Sequence, residues 1–153
     1  MPDKLIDGVL ISPLRKIPDE RGAIFHMLRA DDDHFSQFGE IYFSIAYPAV
    51  VKGWHEHTRQ TQNYAVVSGM IKLVLFDARE HSPTYRSLME LFVGDLNYSL
   101  VTIPPGVTNG YKVIGEEKAI VANCATLPHE PGEMISHDPF GDAVPYEWEI
   151  VMR

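Results

Sequence analysis

Two histidines separated by one residue are the side chains best suited to chemistry in this sequence. His55 and His57 lie in residues 52–57 (KGWHEH). Alternate residues of a β-strand share a face, so a strand here would present both imidazoles to the same space. A neutral imidazole with a carboxylate behind it can act as a general base near pH 7, and imidazoles are also common metal ligands. The segment therefore predicts either a proton-transfer site or a metal site.

Two carboxamides decide between these alternatives. Gln62 follows His57 after four residues, and Asn109 lies in residues 103–111 (IPPGVTNGY). The spacing resembles the two motifs of cupin barrels, in which a glutamate and a third histidine complete the ligand set. Carboxamide oxygens are weak ligands for zinc or iron and bring no negative charge. We therefore expect a site with no metal and no cofactor; a metal-dependent cupin that uses His55 and His57 is the alternative.

The elements that must position these side chains are short strands. The 153 residues are 45% apolar, and 11 Gly and 11 Pro separate about eleven segments rich in β-branched and aromatic residues. This pattern is typical of an all-β sandwich or barrel. With the cupin spacing, it predicts a single jelly-roll domain over residues 1–153. One short helix is expected at residues 31–38 (DDDHFSQF), where an aspartate can cap the first turn. Residues 129–146 are expected to form a loop over one end of the barrel, as a strap or as part of the site.

Composition also limits the binding partners. The net charge of −8 argues against nucleic acid and anionic membranes, which need a basic face. No apolar run approaches the roughly 18 residues of a membrane span. The single cysteine, Cys124, excludes an internal disulfide and fits a reducing compartment, so a cytoplasmic protein is expected.

Five separate motifs occur in consistent order: residues 18–25 (PDERGAIF), 52–55 (KGWH), 77–85 (DAREHSPTY), 97–111 and 136–139 (SHDP). Together they resemble the dTDP-4-dehydrorhamnose 3,5-epimerase family. Enzymes of this family are metal-free cupins, usually dimers, that invert sugar carbons 3 and 5 beside a 4-keto group in a nucleotide-linked sugar. The resemblance implies proton abstraction next to the carbonyl of a dTDP-4-keto-6-deoxy sugar, followed by reprotonation from the opposite face. It also implies a homodimer with exchanged N-terminal strands.

The family's roles transfer to four positions of this sequence. By this resemblance His55 is the catalytic base, and Asp138 is the carboxylate that orients it. Arg21 matches an arginine that binds the diphosphate. Lys52 stands where another arginine is expected; it keeps the charge but loses the bidentate fork.

Other positions depart from the family's pattern. The lysine expected to stabilise the enolate falls on Gln62, and an expected carboxylate falls on Leu73. The second site histidine is Asn109, and the tyrosine expected as the acid falls on Ala122. The base half of the machinery is thus retained, whereas the acid and the oxyanion stabiliser are not in their places.

Substitutes for the missing groups are available. Tyr64 shares a strand face with Gln62 and is predicted to be the replacement acid, with Tyr42 on a neighbouring strand as a second candidate. Asn109 can donate a hydrogen bond to the enolate, as carboxamides do in oxyanion holes. The residues predicted to bind substrate are Arg21, Lys52, His57, Gln62 and Tyr42.

Two alternatives to a 3,5-epimerase remain open from the sequence. The His-x-His pair followed by a glutamine-bearing strand resembles the related nucleotide-sugar 3,4-ketoisomerases, which are also cupins. A cupin that binds a sugar nucleotide without turnover is the other alternative.

Overall fold

Residues 5–153 are described by a computed structural model and form twelve β-strands without an α-helix. Gly and Pro separate the strands, as the sequence predicts. The strands are β1 (Leu10–Pro13), β2 (Lys16–Asp19), β3 (Gly22–Phe25), β4 (Glu40–Ala46), β5 (Val51–His57), β6 (Gln62–Ser68), β7 (Met70–Asp77), β8 (Leu88–Gly94), β9 (Ser99–Ile103), β10 (Val107–Ile114), β11 (Ala119–Ala125) and β12 (Met134–Ser136).

Two five-stranded antiparallel sheets enclose the core. The first sheet has the order β1-β9-β6-β11-β4, and the second has the order β12-β5-β10-β7-β8. Strands β2 and β3 form a separate hairpin. The apolar side chains between the sheets make one buried cluster. The prediction of an all-β jelly-roll barrel is confirmed.

The inner faces of the strands change from polar to apolar along the barrel. In β6 the inward residues run from Gln62 through Tyr64 to Val66, because successive side chains alternate between the two faces. In β10 the same alternation places Asn109 before Val113, and both are buried. The polar ends of these strands meet at one end of the barrel. A site between the sheets is therefore expected at that end.

The short helix predicted at residues 31–38 is wrong. This segment makes turns, in which Asp32 N donates to Arg29 O and Phe35 N donates to Asp32 O. His34 is buried on the barrel, where its ring nitrogens lie 2.7 Å from Ser12 Oγ and 2.6 Å from Thr102 Oγ1. The contacts of His34 with these two strands hold the segment against the barrel surface, so it does not form a separate helical turn. No helix in the described part of the chain is long and apolar enough to span a membrane.

The C-terminal part of the chain supports β5 from two sides. Strand β12 pairs with β5, with Ser136 opposite His55. The side chain of Trp54 points away from the barrel interior and stacks on Trp148, with ring centroids 4.9 Å apart. Residues 147–152, which are rich in apolar side chains, form no strand. The pairing with β12 along its edge and the packing of Trp148 on its outer face fix the position of β5.

The segment 77–85, which carries a strong part of the family resemblance, forms a closed polar cluster. The Asp77 carboxylate is fully buried and accepts hydrogen bonds from Arg79 Nε at 2.8 Å and from the hydroxyls of Ser82 and Thr84, both at 2.6 Å. Burial alone would raise the pKa of Asp77, but these hydrogen bonds outweigh it and hold the pKa well below its usual range. The cluster fixes the loop between β7 and β8.

Candidate active site

Two adjoining cavities lie between the sheets at the polar end of the barrel. Their volumes are about 340 and about 70 Å³, and Tyr42, His55 and Tyr64 line both. Strand β5 of the second sheet contributes His55, whereas the two tyrosines come from the first sheet. The larger cavity is also lined by Glu40, His57, Gln60, Gln62, His129 and Met134, and the smaller one by Ser44, Lys52, Tyr111, Val121 and Asn123.

His55 enters the cavity as a neutral imidazole. Burial lowers its pKa, and the nearby charges of His57 and Lys52 lower it further. Its Nδ1 is buried and has no hydrogen-bond partner within residues 5–153, which leaves Nε2 as the nitrogen available to a ligand. An uncharged imidazole at the cavity wall can accept a proton.

The contact predicted between Asp138 and His55 is not formed. The Asp138 carboxylate accepts a hydrogen bond from Phe140 N at 2.9 Å and is exposed. His137 exchanges both backbone hydrogen bonds with Trp54, and the chain turns immediately afterwards, at Asp138. Asp138 thus caps its own turn instead of orienting the histidine.

The imidazole with a carboxylate behind it is His57. Its Nδ1 lies 2.6 Å from Glu133 Oε1, and both side chains are buried. The other carboxylate oxygen of Glu133 accepts from Arg59 N at 2.8 Å and from Gln60 N at 2.9 Å. Burial raises the pKa of Glu133, but the hydrogen bonds from Arg59 N, His57 and Gln60 N outweigh that effect and lower it to about 2. Glu133 is therefore an ionised carboxylate that fixes the ring of His57.

Three of the predicted site residues hydrogen-bond to one another in a ring. Asn109 Nδ2 donates to Gln62 Oε1 at 2.7 Å, Gln62 Nε2 donates to the Tyr64 hydroxyl at 2.8 Å, and that hydroxyl donates to Asn109 Oδ1 at 3.2 Å. Asn109 lines neither cavity, which argues against its predicted contact with an enolate. Burial raises the pKa of Tyr64 well above its usual value, and its proton is already bound by Asn109.

Tyr42 faces the histidines from the opposite sheet. Its hydroxyl accepts a hydrogen bond from Asn123 Nδ2 at 2.9 Å, and no acceptor for its own proton lies in the described part of the chain. Val121 and Asn123 line the smaller cavity, so the alternation of β11 turns Ala122 to the other face of the sheet. A tyrosine at position 122 would therefore point away from the cavity.

The two predicted cationic residues are in different places. Lys52 lines the smaller cavity, and its Nζ donates to Ser44 Oγ at 3.0 Å and to Ile45 O at 2.8 Å. Arg21 lies at the tip of the β2–β3 hairpin, where its side chain is 86% exposed and pairs with Asp19. Within one chain the structure brings Lys52 to the cavity and leaves Arg21 outside it.

The carboxamides expected to replace metal ligands are engaged elsewhere. The side-chain oxygens of Gln62 and Asn109 each accept a hydrogen bond within the ring that they form with Tyr64. Within residues 5–153, no group of three or more His, Cys, Asp or Glu side chains is arranged to hold a metal ion.

Sequence reasoning missed Glu133 and Asn123. Glu133 lies 76 residues from His57, in a loop whose path no local pattern predicts. Asn123 had a usable signal, because an asparagine within an otherwise apolar strand needs a partner when its face is buried. Asn123 has two partners: its Nδ2 donates to the Tyr42 hydroxyl, and its Oδ1 accepts from Asn63 N.

The chain matches one protein family and several known proteins. The sequence profile of the dTDP-4-dehydrorhamnose 3,5-epimerase family matches residues 3–152. The spore coat polysaccharide biosynthesis protein SpsL of Bacillus subtilis is 31% identical over 147 residues, which cover 96% of this chain and 94% of that protein. A probable low-salt glycan biosynthesis epimerase, Agl13 of Haloferax volcanii, is 32% identical over 144 residues, which cover 93% of this chain and 89% of that protein.

A solved structure agrees with these sequence matches. The crystal structure of a dTDP sugar isomerase from Desulfovibrio desulfuricans G20 superposes with a TM-score of 0.91 at 44% sequence identity, and the match covers 94% of this chain and 92% of that chain. The family resemblance indicated by the five sequence motifs is confirmed. The chain belongs to the dTDP-4-dehydrorhamnose 3,5-epimerase family and is an enzyme of the epimerase type.

Proposed function

We propose that this chain epimerises a dTDP-4-keto-6-deoxy sugar at carbons next to the ketone. The single observation that carries the proposal is the placement of His55 and Tyr42 on opposite sheets, facing one cavity of about 340 Å³. Inversion requires a base on one face of the sugar and an acid on the other. The names of the relatives support a nucleotide-linked keto sugar as the substrate.

His55 is proposed as the base that starts the reaction. Its Nε2 takes the proton from the carbon beside the ketone, and the electron pair of that C–H bond forms the enolate. Among residues 5–153, Lys52 is the one lysine or arginine that lines either cavity, so we assign it to the negative charge of the enolate oxygen. Asp138, the orienting carboxylate expected by resemblance, has no part in this proposal because it caps its own turn.

Tyr42 is proposed as the acid in place of Tyr64. The Tyr64 proton is held by Asn109 and its hydroxyl is buried. The Tyr42 hydroxyl accepts from Asn123, and no described residue accepts its proton. The proton of Tyr42 is therefore free to move to the enolate carbon from the face opposite to His55. The resulting phenolate regains a proton before the next turnover.

A 3,4-ketoisomerase is the second candidate, and one observation favours it. His55 and His57 line the same wall of the larger cavity. A proton taken from carbon 3 by a group on this wall can return to carbon 4 on the same face of the sugar, while the hydroxyl proton on oxygen 3 moves to oxygen 4. These two transfers move the keto group from carbon 4 to carbon 3 without inverting a carbon.

A homodimer is proposed from the outer face of β4. This edge strand exposes Ile41, Phe43 and Ile45, which are 48–61% exposed, and Tyr47 beyond its end is 70% exposed. An apolar edge of this kind calls for a covering partner. A dimer also gives Arg21 a role, because an exposed hairpin can reach a diphosphate in the partner's site. Sedimentation should show a dimer that Phe43→Glu dissociates; a monomeric wild-type protein would contradict this.

A cytoplasmic location is proposed from the cysteine content. Cys124 is the single cysteine and is free, so the chain has no internal disulfide that an oxidising compartment would form. Fractionation of the producing cells should recover the protein with cytoplasmic markers.

Solvent exchange tests the proposed reaction. In deuterated water the wild-type protein should place deuterium on carbon 3 or carbon 5 of dTDP-4-keto-6-deoxyglucose, as seen by proton NMR. Migration of the keto group, read from the same spectra, would support the ketoisomerase instead. Binding of the sugar nucleotide with no exchange at either carbon would leave a binding protein and overturn the proposal.

A further inference from the structure

The pair of His57 and Glu133 is a complete proton-transfer unit that the proposed base does not use. The two side chains are in contact at 2.6 Å and are 90% and 95% buried, yet His57 still lines the larger cavity. The carboxylate of Glu133 is held by three donors, which leaves it no freedom to turn away from the imidazole. The arrangement matches the way a carboxylate orients a histidine base and stabilises the imidazolium that forms.

The carboxylate of Glu133 also decides which ring nitrogen of His57 carries the proton. An ionised carboxylate can only accept hydrogen bonds, so Nδ1 of His57 must carry the proton that it donates to Glu133. In the uncharged imidazole, Nε2 then has a free electron pair and can accept a proton from a ligand. The tautomer of His57 is thus set by a residue 76 positions away in the sequence.

We propose that His57, positioned by Glu133, is a second catalytic base and that the two histidines serve different carbons of the substrate. This inference rests on the proposed function. A 4-keto sugar has one acidic C–H on each side of the ketone, at carbons 3 and 5. Alternate residues on one strand are about 6.6 Å apart, so His55 and His57 present two bases along one wall of the cavity.

The proton transfer at His57 follows the same steps as the one proposed at His55. Nε2 of His57 takes the proton, the C–H electron pair forms the enolate, and Glu133 stabilises the new imidazolium. A proton from Tyr42 returns to the carbon from the opposite sheet, and the imidazolium gives its proton to solvent. Glu133 acts through His57 and is a positioning residue.

Glu133→Gln tests the tautomer with little change of shape. The glutamine oxygen can still accept from Arg59 N and Gln60 N, while its NH₂ group donates to Nδ1 of His57. The proton of His57 must then move to Nε2, and the ring can no longer accept a proton from the cavity. Loss of the correct tautomer costs a histidine base up to about 10⁴-fold in rate in a comparable triad.

The experiment measures deuterium wash-in at carbon 3 and carbon 5 separately, at saturating dTDP-4-keto-6-deoxyglucose. We expect His57→Asn to slow exchange at one carbon by about 100-fold or more and at the other by less than about fivefold. Glu133→Gln should slow the same carbon without raising KM, and His55→Asn should slow the other carbon. Circular dichroism checks that each variant is folded. If His57→Asn does not fold, Glu133→Gln alone tests the role of His57.

Four outcomes would overturn the inference. Equal slowing at both carbons in Glu133→Gln and His57→Asn, or no slowing at either, would show that His57 is not a separate base. Wild-type exchange at one carbon alone would leave no second proton for it to take. Absence of exchange at both carbons in the wild-type protein would overturn the proposed function, and this inference with it.

Discussion

The Asp77 cluster and the cavity between the sheets are both rich in polar side chains, but they differ in how those side chains are satisfied. Asp77 is fully buried, and its carboxylate accepts from Arg79, Ser82 and Thr84. At the cavity, His55 Nδ1 and Gln60 Oε1 are buried and have no hydrogen-bond partner within residues 5–153. The first region is closed, whereas the second keeps unused hydrogen-bonding capacity.

This difference separates stability from chemistry. Buried polar groups normally find partners, so a closed network stabilises the fold and an open one calls for a ligand. The segment 77–85 supports the family resemblance and yet lines neither cavity. Of the residues that line the cavities, His55 keeps the family's pattern, whereas Lys52 and Gln62 depart from it. This part of the family resemblance therefore reports on the fold and not on the reaction.

Removing the carboxylate of the closed cluster should have the largest effect on stability. Asp77→Ala leaves Arg79 and two hydroxyls without their partner, and we expect the free energy of unfolding to fall by about 3–5 kcal/mol. Urea denaturation measures it. Exchange per folded molecule should stay within about twofold of the wild-type rate, because the cluster lies outside the cavities. A small stability loss with a large activity loss would reverse the assignment of the two regions.

Acid should destabilise the protein through Glu133. Its folded pKa is about 2 and its ordinary value about 4.5, so the stabilisation is complete above about pH 4.5 and is lost as the pH falls towards 2. The loss amounts to roughly 3 kcal/mol. Asp77 also has a lowered pKa and adds a slope in the acid range. Denaturation from pH 2 to 6 should give a shallower slope for Glu133→Gln than for the wild-type protein, and identical slopes would contradict the ionised pair.

Substitutions at two tyrosines that line the cavity should separate an effect on rate from an effect on stability. Tyr42→Phe removes the proton that we propose is transferred, and should slow exchange by about 100-fold with little change in stability. Tyr64→Phe leaves Gln62 and Asn109 with unpaired buried groups, and should cost about 1–3 kcal/mol in unfolding free energy. Its exchange rate should fall less than that of Tyr42→Phe. The opposite ranking of the two rates would make Tyr64 the acid.

The fold was largely predictable because it follows from alternation and turn residues. Short strands form between the Gly and Pro residues, and Gln62 and Tyr64 share the inner face of β6 as expected. The predicted helix failed because the burial of His34 against Ser12 and Thr102 is a long-range contact. A run of three aspartates with local capping potential carries no trace of that contact.

The site was predictable in its residue types but not in its pairings. His55, His57, Gln62, Tyr64 and Tyr42 do line one cavity, as their shared strand faces suggest. Which carboxylate meets which histidine depends on the path of residues 129–139, a loop with no periodic pattern. The resemblance to the family indicated Asp138 and His55, and the structure forms Glu133 and His57 instead.

The most direct test compares the same substitution in the two regions. His55→Asn changes the cavity wall, and His81→Asn changes an exposed histidine in the segment 77–85. Deuterium incorporation from solvent into dTDP-4-keto-6-deoxyglucose should fall by about 100-fold or more in His55→Asn. The fall is confined to one carbon if His57 is a separate base, and it affects both carbons if His57 takes no part. His81→Asn should exchange at the wild-type rate. A folded His55→Asn protein that exchanges both carbons at the wild-type rate would contradict the assignment of this cavity as the active site.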